Sequence, residues 1–414
     1  MPKKIKLSRD EAIVFMGSMN AMPMMYALEL KRQGYEVLYF VDVSQRNKLC
    51  RPENHFPEIS YPYPSWIIET VLPSQIVVAL FPKLFSIFFE NKIRKSTEKK
   101  VGCFFLNGFF SSLVPYLMGD SKKAILSHGS DLDVWAYKSG SALLANSFSN
   151  RSVFRYLPKI ISAVVIRKII ERQYAGMLSS DMVFYFPEGL NAAGDKVVHD
   201  LSVAGVKYIP RYDISFAPLQ EKSRNFKKRK PILNIFSGVR FIFETFPDGN
   251  PGYGKGNDII IDGIARFFLI NPNIQVHFVE KGEDVGSAKE MCNALGLDGV
   301  VVWHKEMPFK KLLDLYSESD ICFDQMGSHW IGAIGGYALW LGKPLIANTA
   351  SLIKNNVWPE DNPVCSALTA EEVCNWLVRL QDDIFREKIS IKSKIFVEKY
   401  MSPDKALNEA FYFC

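Results

Sequence analysis

No CxxC pair occurs among the seven cysteines, which stand at 50, 103, 292, 322, 365, 374 and 414. That excludes a zinc ribbon and leaves no disulfide framework, so plain thiols in a reducing compartment are expected. No apolar h-region follows the Met1-Pro-Lys-Lys-Ile-Lys6 start; Arg9, Asp10 and Glu11 come instead, and no signal peptide is expected. No uninterrupted apolar run reaches the roughly 18–20 residues that span a bilayer. No repeat at a period of about 20–50 residues is visible, which excludes solenoids and propellers. The chain also lacks compositional bias: 48% of residues are hydrophobic and 23% charged, which excludes a disordered or collagenous chain.

The 414 residues suffice for two to three domains with large cores. Aromatics, with 30 Phe, are somewhat abundant. Charge is uneven. Residues 1–225 hold 29 Lys and Arg against 20 Asp and Glu, a net of +9, whereas the rest hold 21 against 24, a net of −3. A basic half beside a mildly acidic one points to an anionic surface or an anionic ligand.

Strand-like and helix-like segments alternate along the chain, the pattern of a parallel α/β fold. Ala12 to Phe15 reads as a strand, Gly17 to Asn20 as a turn, Met22 to Gln33 as a helix stopped by Gly34, and Tyr35 to Val41 as a second strand. The turn carries a glycine but not GxGxxG, so the dinucleotide fingerprint is absent. A second set follows Pro231, with strands at 232–236, 274–279, 300–303, 320–323 and 344–346 separated by helices at 258–268, 288–295, 309–317 and 334–341. The polar, basic stretch between the sets carries six Lys and Arg within 222–230 and reads as a linker. The expected organisation is an N-terminal domain at 1–218, a linker at 219–230, a C-terminal domain at 231–395 and a helical tail at 396–414 packing back toward the first domain.

Two segments of the basic half stand out. Residues 66–90 are apolar but interrupted by Pro73 and Pro82, and Lys92, Arg94, Lys95, Lys99 and Lys100 follow. Residues 151–172 mix aliphatic side chains with Arg155, Lys159, Arg167, Lys168 and Arg172. Apolar stripes edged with cations suit helices lying in an anionic lipid interface; a pair of core helices with solvated basic edges is the plainer alternative.

Three motifs carry chemistry. Ser127-His128-Gly129-Ser130-Asp131 follows an apolar strand, which places His128 at a carboxyl strand end, where ligands bind in open sheets. Asp131 can equally cap the next helix. Ser237 to Arg240 follows the opening strand of the second set, and Lys255-Gly256 opens a helix. Arg and Lys in one cleft would neutralise a diphosphate leaving group. Asp324-Gln325-Met326-Gly327-Ser328-His329-Trp330-Ile331-Gly332-Ala333 runs from a strand into a helix, a place for backbone amides to meet an anion, with Gly332 allowing close approach.

Together these residues resemble a glycosyltransferase of the GT-B fold, close to the retaining family 4, most firmly over 231–350. The resemblance implies two Rossmann-like, doubly wound domains facing across a cleft. Gly17 matches the family's first-strand loop and His128-Gly-Ser-Asp131 its HG(S/T)D segment. Ile209-Pro-Arg-Tyr-Asp213…Phe216…Pro218 matches the exit from its first domain. Arg240 and Lys255 match its diphosphate-binding pair, Glu280-Lys-Gly282 its GdG turn, and His304 to Met307 its base-contacting loop. The family's Glu-x7-Glu signature falls on His329 and Tyr337, so both glutamates are replaced, and Asp324-Gln325 with Gly327 and Gly332 resembles a DQ variant of that signature. The resemblance implies His128, Arg240 and Lys255 as catalytic residues. It implies a donor site from Gly17, Asp131, Glu280, Met307, Asp324, Gln325, His329, Gly332, Ala333, Ile334 and Tyr337.

The implied activity is metal-independent, cofactor-free transfer of a sugar from a nucleotide-sugar donor to a glycan or lipid-linked acceptor, in bacterial lipopolysaccharide, capsule or other surface-glycan assembly. The implied location is the cytoplasm, peripheral to the inner face of the membrane, with no nucleic-acid partner. The alternatives are an inverting transferase or sugar-nucleotide epimerase using Asp131 or Asp133 as base, and an inactive nucleotide-sugar-binding relative.

Overall fold

The computed structural model describes residues 4–56, 58–117, 119–148, 152–212, 232–246, 251–327 and 331–413. The chain divides into two compact units, Met1–Tyr212 with Pro403–Cys414, and Asp213–Ser402. The expected linker, 219–230, lies outside the described residues.

In the first unit β1 (Ile5–Leu7) precedes the strands of one parallel sheet: β2 (Ala12–Met16), β3 (Glu36–Val41), β4 (Ile67–Glu69), β5 (Val101–Leu106), β6 (Lys122–Leu126), β7 (Met182–Tyr185) and β8 (Lys207–Pro210). Their spatial order is β4-β3-β2-β5-β6-β7-β8. Every residue of β2 is buried, because helices cover both faces of the sheet. This is why the strand reads as an apolar run rather than an alternation. The helix Pro23–Arg32 opens on a proline at its first turn, and Gly34 follows it at φ 87°.

The second unit holds β9 (Leu233–Ser237), β10 (Ile274–Val279), β11 (Val301–His304), β12 (Ile321–Phe323), β13 (Leu345–Ala347) and β14 (Cys365–Ser366), ordered β11-β10-β9-β12-β13-β14, again all parallel. Ile235, Val276, Phe278 and Ile321 from its strands, with Ile260, Ile261 and Ile264 from the helix Asn257–Phe268, form its core. Two parallel-sheet α/β units are the doubly wound architecture that the alternation predicts.

The tail departs from expectation. The helix Asp383–Tyr400 stays with the second unit, because Phe396 meets Trp358 edge-on at 4.8 Å and Val397 is buried. The return to the first unit therefore starts at Pro403, not at 396. The tail is also not all helix: after Pro403–Ala410 it ends in β15 (Phe411–Phe413), which pairs parallel with β1 in a two-stranded sheet. Phe411 is buried with its ring 5.7 Å from Phe105 and 6.4 Å from Phe184, which anchors the chain end in the first unit's core.

Residues 66–100 fold as β4 and the helices Ile76–Leu80 and Pro82–Ser96, and 151–172 fall mainly in the helix Lys159–Leu178. Among the described residues no helix is long and apolar enough to cross a membrane.

Candidate functional site

Strand order reverses at β9 in the second unit, with β10 on one side and β12 on the other. In open α/β sheets ligands bind beyond the carboxyl ends at such a reversal. The loops that emerge there are Gly238-Val239-Arg240, after β9, and Asp324 to Gly327, after β12. The Lys255 backbone joins them. Its N–H donates to the Ile242 carbonyl at 2.7 Å, and its own carbonyl accepts from Met326 at 2.9 Å and Gly327 at 3.3 Å. Thus Arg240, just past β9, and Lys255, beyond the loop that follows it, are held at one sheet edge. Neither has an ion-pair partner among the described residues.

Burial lowers the Lys255 ammonium below its ordinary value; the Asp324 carboxylate opposes this, and the nearby Arg240 guanidinium adds to it. Two neighbouring cations, only one of them near a carboxylate that is itself engaged by backbone amides, make a site that an anion of two charges would stabilise. Gly282 sets this geometry. It lies at φ 115°, and a Cβ there would stand 2.2 Å from the Phe241 carbonyl oxygen and 2.7 Å from Arg240 Cγ. Only glycine lets the 280–282 turn pass under the Arg240 loop.

Asp324 is the organiser of the opposite wall. Its Oδ2 accepts from the amides of Gly332 at 2.7 Å and Gly335 at 3.2 Å, and its Oδ1 from Gln325 at 2.8 Å. The start of the helix Ala333–Trp340 is therefore already capped by a carboxylate, and the Gly332 amide serves Asp324. Burial raises the Asp324 carboxyl, and those amides and Lys255 oppose the rise without cancelling it. Gln325 is buried, and its carbonyl accepts from Asn348. Ala333 and Ile334 begin the helix. The Ile334 carbonyl accepts from the Tyr316 hydroxyl at 2.8 Å, and its Cδ1 reaches to 3.4 Å from the point where a Cβ on Gly238 would lie.

The remaining residues of the expected donor site are placed differently. The Glu280 carboxylate is held by Lys289 at 2.6 Å and by Lys305, and these lysines keep it below the usual carboxylate range. The Glu280 amide also donates to the His304 carbonyl, tying its turn to the loop that carries half-buried Met307. The Tyr337 ring packs on Phe309 at 4.7 Å and nears Tyr316 at 6.4 Å, and burial pushes its hydroxyl up. His329 lies outside the described residues.

The first unit repeats the reversal at β2, flanked by β3 and β5. Gly17, at φ 93°, sits where a Cβ would be 2.2 Å from the Asn107 carbonyl oxygen, so the turns after β2 and β5 touch. His128 stands at the end of β6. Its Nε2 lies 3.1 Å from the Ser130 hydroxyl, and its Nδ1 lies 3.4 Å from Asp131 Oδ2 and 3.5 Å from Asn107 Nδ2. Asp131 is buried. Its Oδ1 accepts from the Ser127 hydroxyl at 2.6 Å and from the amides of His128 and Gly129; its Oδ2 accepts from the Gly108 amide at 3.1 Å. Burial would raise this carboxyl, but the His128 charge and these bonds outweigh it and leave it low. Asp131 thus shapes the loop around His128. Asp133 is raised by burial, with Tyr185 and Asn191 each donating to it at 2.8 Å.

Several positioning residues carry no readable signal in sequence. Asp284 gathers the amides of Phe243, Glu244 and Thr245 and so fixes the loop after Arg240. Asn257 accepts from the Ile242 amide, and Asn348 donates to the Gly327 carbonyl at 2.7 Å. In the first unit the Arg211 guanidinium donates to the Ser127 carbonyl, joining the exit segment to the His128 loop. Each is a lone polar residue whose partner is far away in the chain or is plain backbone. Asp213, Phe216 and Pro218 of the exit segment lie outside the described residues.

No family model and no curated relative matches the chain. Solved structures do. Sucrose-phosphate synthase from Thermosynechococcus elongatus superposes with a TM-score of 0.55 at 13% identity, covering 96% of this chain and 97% of that one. Trehalose-6-phosphate synthase OtsA gives 0.53 at 9% identity, covering 96% and 97%. WaaG, a glycosyltransferase involved in lipopolysaccharide biosynthesis, gives 0.51 at 10% identity, covering 96% and 99%. At these identities the likeness is one of fold, and the fold is that of the GT-B glycosyltransferases.

Proposed function

We propose that the chain is a glycosyltransferase that moves a sugar from a nucleoside-diphosphate donor, held by the second unit, to a glycan acceptor carried on a lipid, at the inner face of a bacterial membrane. One observation carries this reading: Arg240 and Lys255 meet at the reversal point of the second sheet with no ion-pair partner among the described residues. A diphosphate leaving group is the anion that such a pair suits, and the pair supplies the charge neutralisation for which other enzymes use a divalent ion. The GT-B fold and the lipopolysaccharide enzyme among its neighbours support the substrate class.

The reaction we propose retains anomeric configuration. The bond from the anomeric carbon to the diphosphate breaks. The acceptor hydroxyl forms a new bond to that carbon on the same face and gives its proton to the departing diphosphate, whose growing charge Arg240 and Lys255 hold. The aspartates available to an inverting reaction favour the retaining reading. Asp131 is engaged by four donors from its own and the Gly108 loop, and Asp133 by Tyr185 and Asn191. His128 is a positioning group in this scheme.

The test is a thermal-shift screen of nucleoside diphosphates and their sugars, followed by transfer assays with the sugar that stabilises most. A donor at about 100 times its Kd adds about 2.7 kcal/mol, a rise of a few degrees. If no nucleoside diphosphate shifts Tm and none of its sugars is turned over, the reading fails. A product that NMR shows to be β from an α-linked donor overturns retention alone.

A further inference from the structure

The two basic-apolar segments turn out to be built alike, and both belong to the first unit. Each long helix starts Pro-Lys-apolar, at Pro82-Lys83-Leu84 and Pro158-Lys159-Ile160. On Pro82–Ser96 the outward side is Leu84, Ile87 and Phe88, followed one to two turns later by Arg94 and Lys95. On Lys159–Leu178 it is Ile160, Ile161 and Val164, followed by Arg167 and Lys168. These apolar side chains are not marginally exposed: Ile160 is 81% accessible, Leu84 65%, Val164 59% and Phe81 58%. Two or three outward aliphatics per helix, repeated on two helices, exceed the scattered exposure of ordinary surfaces.

Each face also carries a cation laid over an exposed ring, Lys92 over Phe88 at 5.4 Å and Arg155 over Tyr156 at 4.6 Å. Such pairs put an apolar body and a charged head at one depth, the arrangement of side chains at a lipid interface. The helices are tied together. Arg172 donates to the carbonyls of Ala79 and Leu80, at the end of the short helix Ile76–Leu80 and one residue before Phe81. Ile76 and Leu80 pack on a core with Ile166, Ile169 and Ile170. Positive charge dominates both helices: Pro82–Ser96 carries Lys83, Lys92, Arg94 and Lys95 against Glu90, and Lys159–Leu178 carries Lys159, Arg167, Lys168 and Arg172 against Glu171.

We propose that these two helix faces form one docking surface for an anionic lipid bilayer, with Leu84, Phe88, Ile160 and Val164 entering the interface and Lys83, Arg94, Arg167 and Lys168 meeting the headgroups. Charge complementarity selects this occupant. An anionic leaflet attracts the four-to-one excess of cations over acids that both helices carry beside their outward apolar side chains. The inference rests on the lipid-linked acceptor for its setting, but its test needs neither donor nor acceptor.

The full chain is mixed with vesicles of phosphatidylcholine alone and of phosphatidylcholine with about one third phosphatidylglycerol, and the bound fraction is read by flotation. Binding to the anionic vesicles is expected to exceed binding to the neutral ones by more than tenfold and to fall with salt. Replacing Leu84, Phe88, Ile160 and Val164 by Ser should cut binding at least tenfold. Lys83→Glu with Arg94→Glu, Arg167→Glu and Lys168→Glu should cut it further, at about fivefold or more per cation. All eight positions are solvent-facing, and circular dichroism of each variant checks the fold. Equal binding to both vesicle types overturns the proposal, as does anionic binding that both variants keep. A wild-type dimer that the Ser variant turns into a monomer, with no vesicle binding, overturns it in favour of a second copy. Vesicle binding without sugar transfer would leave the docking surface standing and remove the transferase reading; transfer without vesicle binding would do the reverse.

Discussion

The carboxyl edges of the two sheets use one device to opposite electrical ends. In each, a buried aspartate beyond a strand gathers amides and so moulds a loop at the sheet edge. At the first edge Asp131 faces His128 and a set of donors, its carboxyl is held low, and the charge is spent inside the loop. At the second, Asp324 caps a helix, its carboxyl is raised, and Lys255 and Arg240 lie near it with Lys255 lowered by burial. On the proposed reading, the difference assigns the anion to the second edge and neutral hydroxyls to the first. At the second edge Lys255 has Asp324 as a charged neighbour, and neither it nor Arg240 has an ion-pair partner among the described residues.

The comparison breaks most readily at Lys255. Lys255→Ala should lower kcat with the cognate donor by ~10²-fold or more, since it removes a charge that matters most as the diphosphate leaves. Lys255→Arg should recover part of that. An unchanged kcat in the alanine variant would move the anion site away from this edge.

The first edge should respond more weakly and in a different way. His128→Ala is expected to lose roughly tenfold to a hundredfold in kcat, below the range of a lost general base, and His128→Gln to lose less, because a hydrogen-bonding amide fills the same place. The pH profile of kcat/KM should keep both limbs in both variants. A limb that vanishes with the ring would make His128 a base and erase the contrast between the edges.

Smaller still is the effect of the turn beneath Arg240. Gly282→Ala puts a methyl 2.2 Å from the Phe241 carbonyl oxygen at a backbone angle that alanine resists. The loop must shift, carrying Arg240 with it. A loss of roughly tenfold in kcat is expected, with about 1–3 kcal/mol of stability lost to strain. Gly286→Ala, where a Cβ meets nothing within 4 Å, is the control on the same stretch and should be neutral.

Much of this architecture is legible in the residues because it rests on local periodicity. Ile274–Val279 and the helix from Phe309 follow from apolar spacing alone, and β9, β11, β12 and β13 fall within one residue of expectation, whereas the two-residue β14 is too short to read. Arg240, Lys255 and Asp324 were also readable, since each sits just past a strand or at a helix start. What could not be read is long-range. β15 is three residues of a tail that look helical, and only its pairing with β1, more than 400 residues away, makes it a strand. Asp284 looks like surface charge until the 243–245 amides fold over it. Glu280 and Asp131 show the converse. Their motif positions suit a donor contact, but the structure gives them nearer partners, the lysines 289 and 305 for one and the His128 loop for the other. Spacing says where a side chain emerges, not what it meets first.

The subtlest way to sharpen the comparison is through the two aspartates themselves, because their carboxyls are shifted in opposite directions. The Asp131 value is depressed in the folded chain, so its contribution to stability is full above the unfolded value near 3.8 and is lost as pH falls below it. The Asp324 value is raised, so ionisation of this group opposes folding at neutral pH, and the cost disappears as pH falls through the folded value toward 3.8. Asp131→Asn and Asp324→Asn are nearly isosteric and do not titrate. Each loses bonds to amides that a carboxylate accepted, at about 1–3 kcal/mol. The pH dependence of each loss carries the information. As pH falls below 3.8 the advantage of wild type over Asp131→Asn should shrink, whereas as pH falls from neutral to 3.8 the advantage over Asp324→Asn should grow. Urea titrations read by pulsed hydrogen exchange and mass spectrometry resolve the two units, following peptides of β6 for one and β12 for the other. Two differences that run in parallel with pH would mean that the aspartates sit in equivalent fields, and the electrical contrast between the edges would then have to come from Arg240 and Lys255 alone.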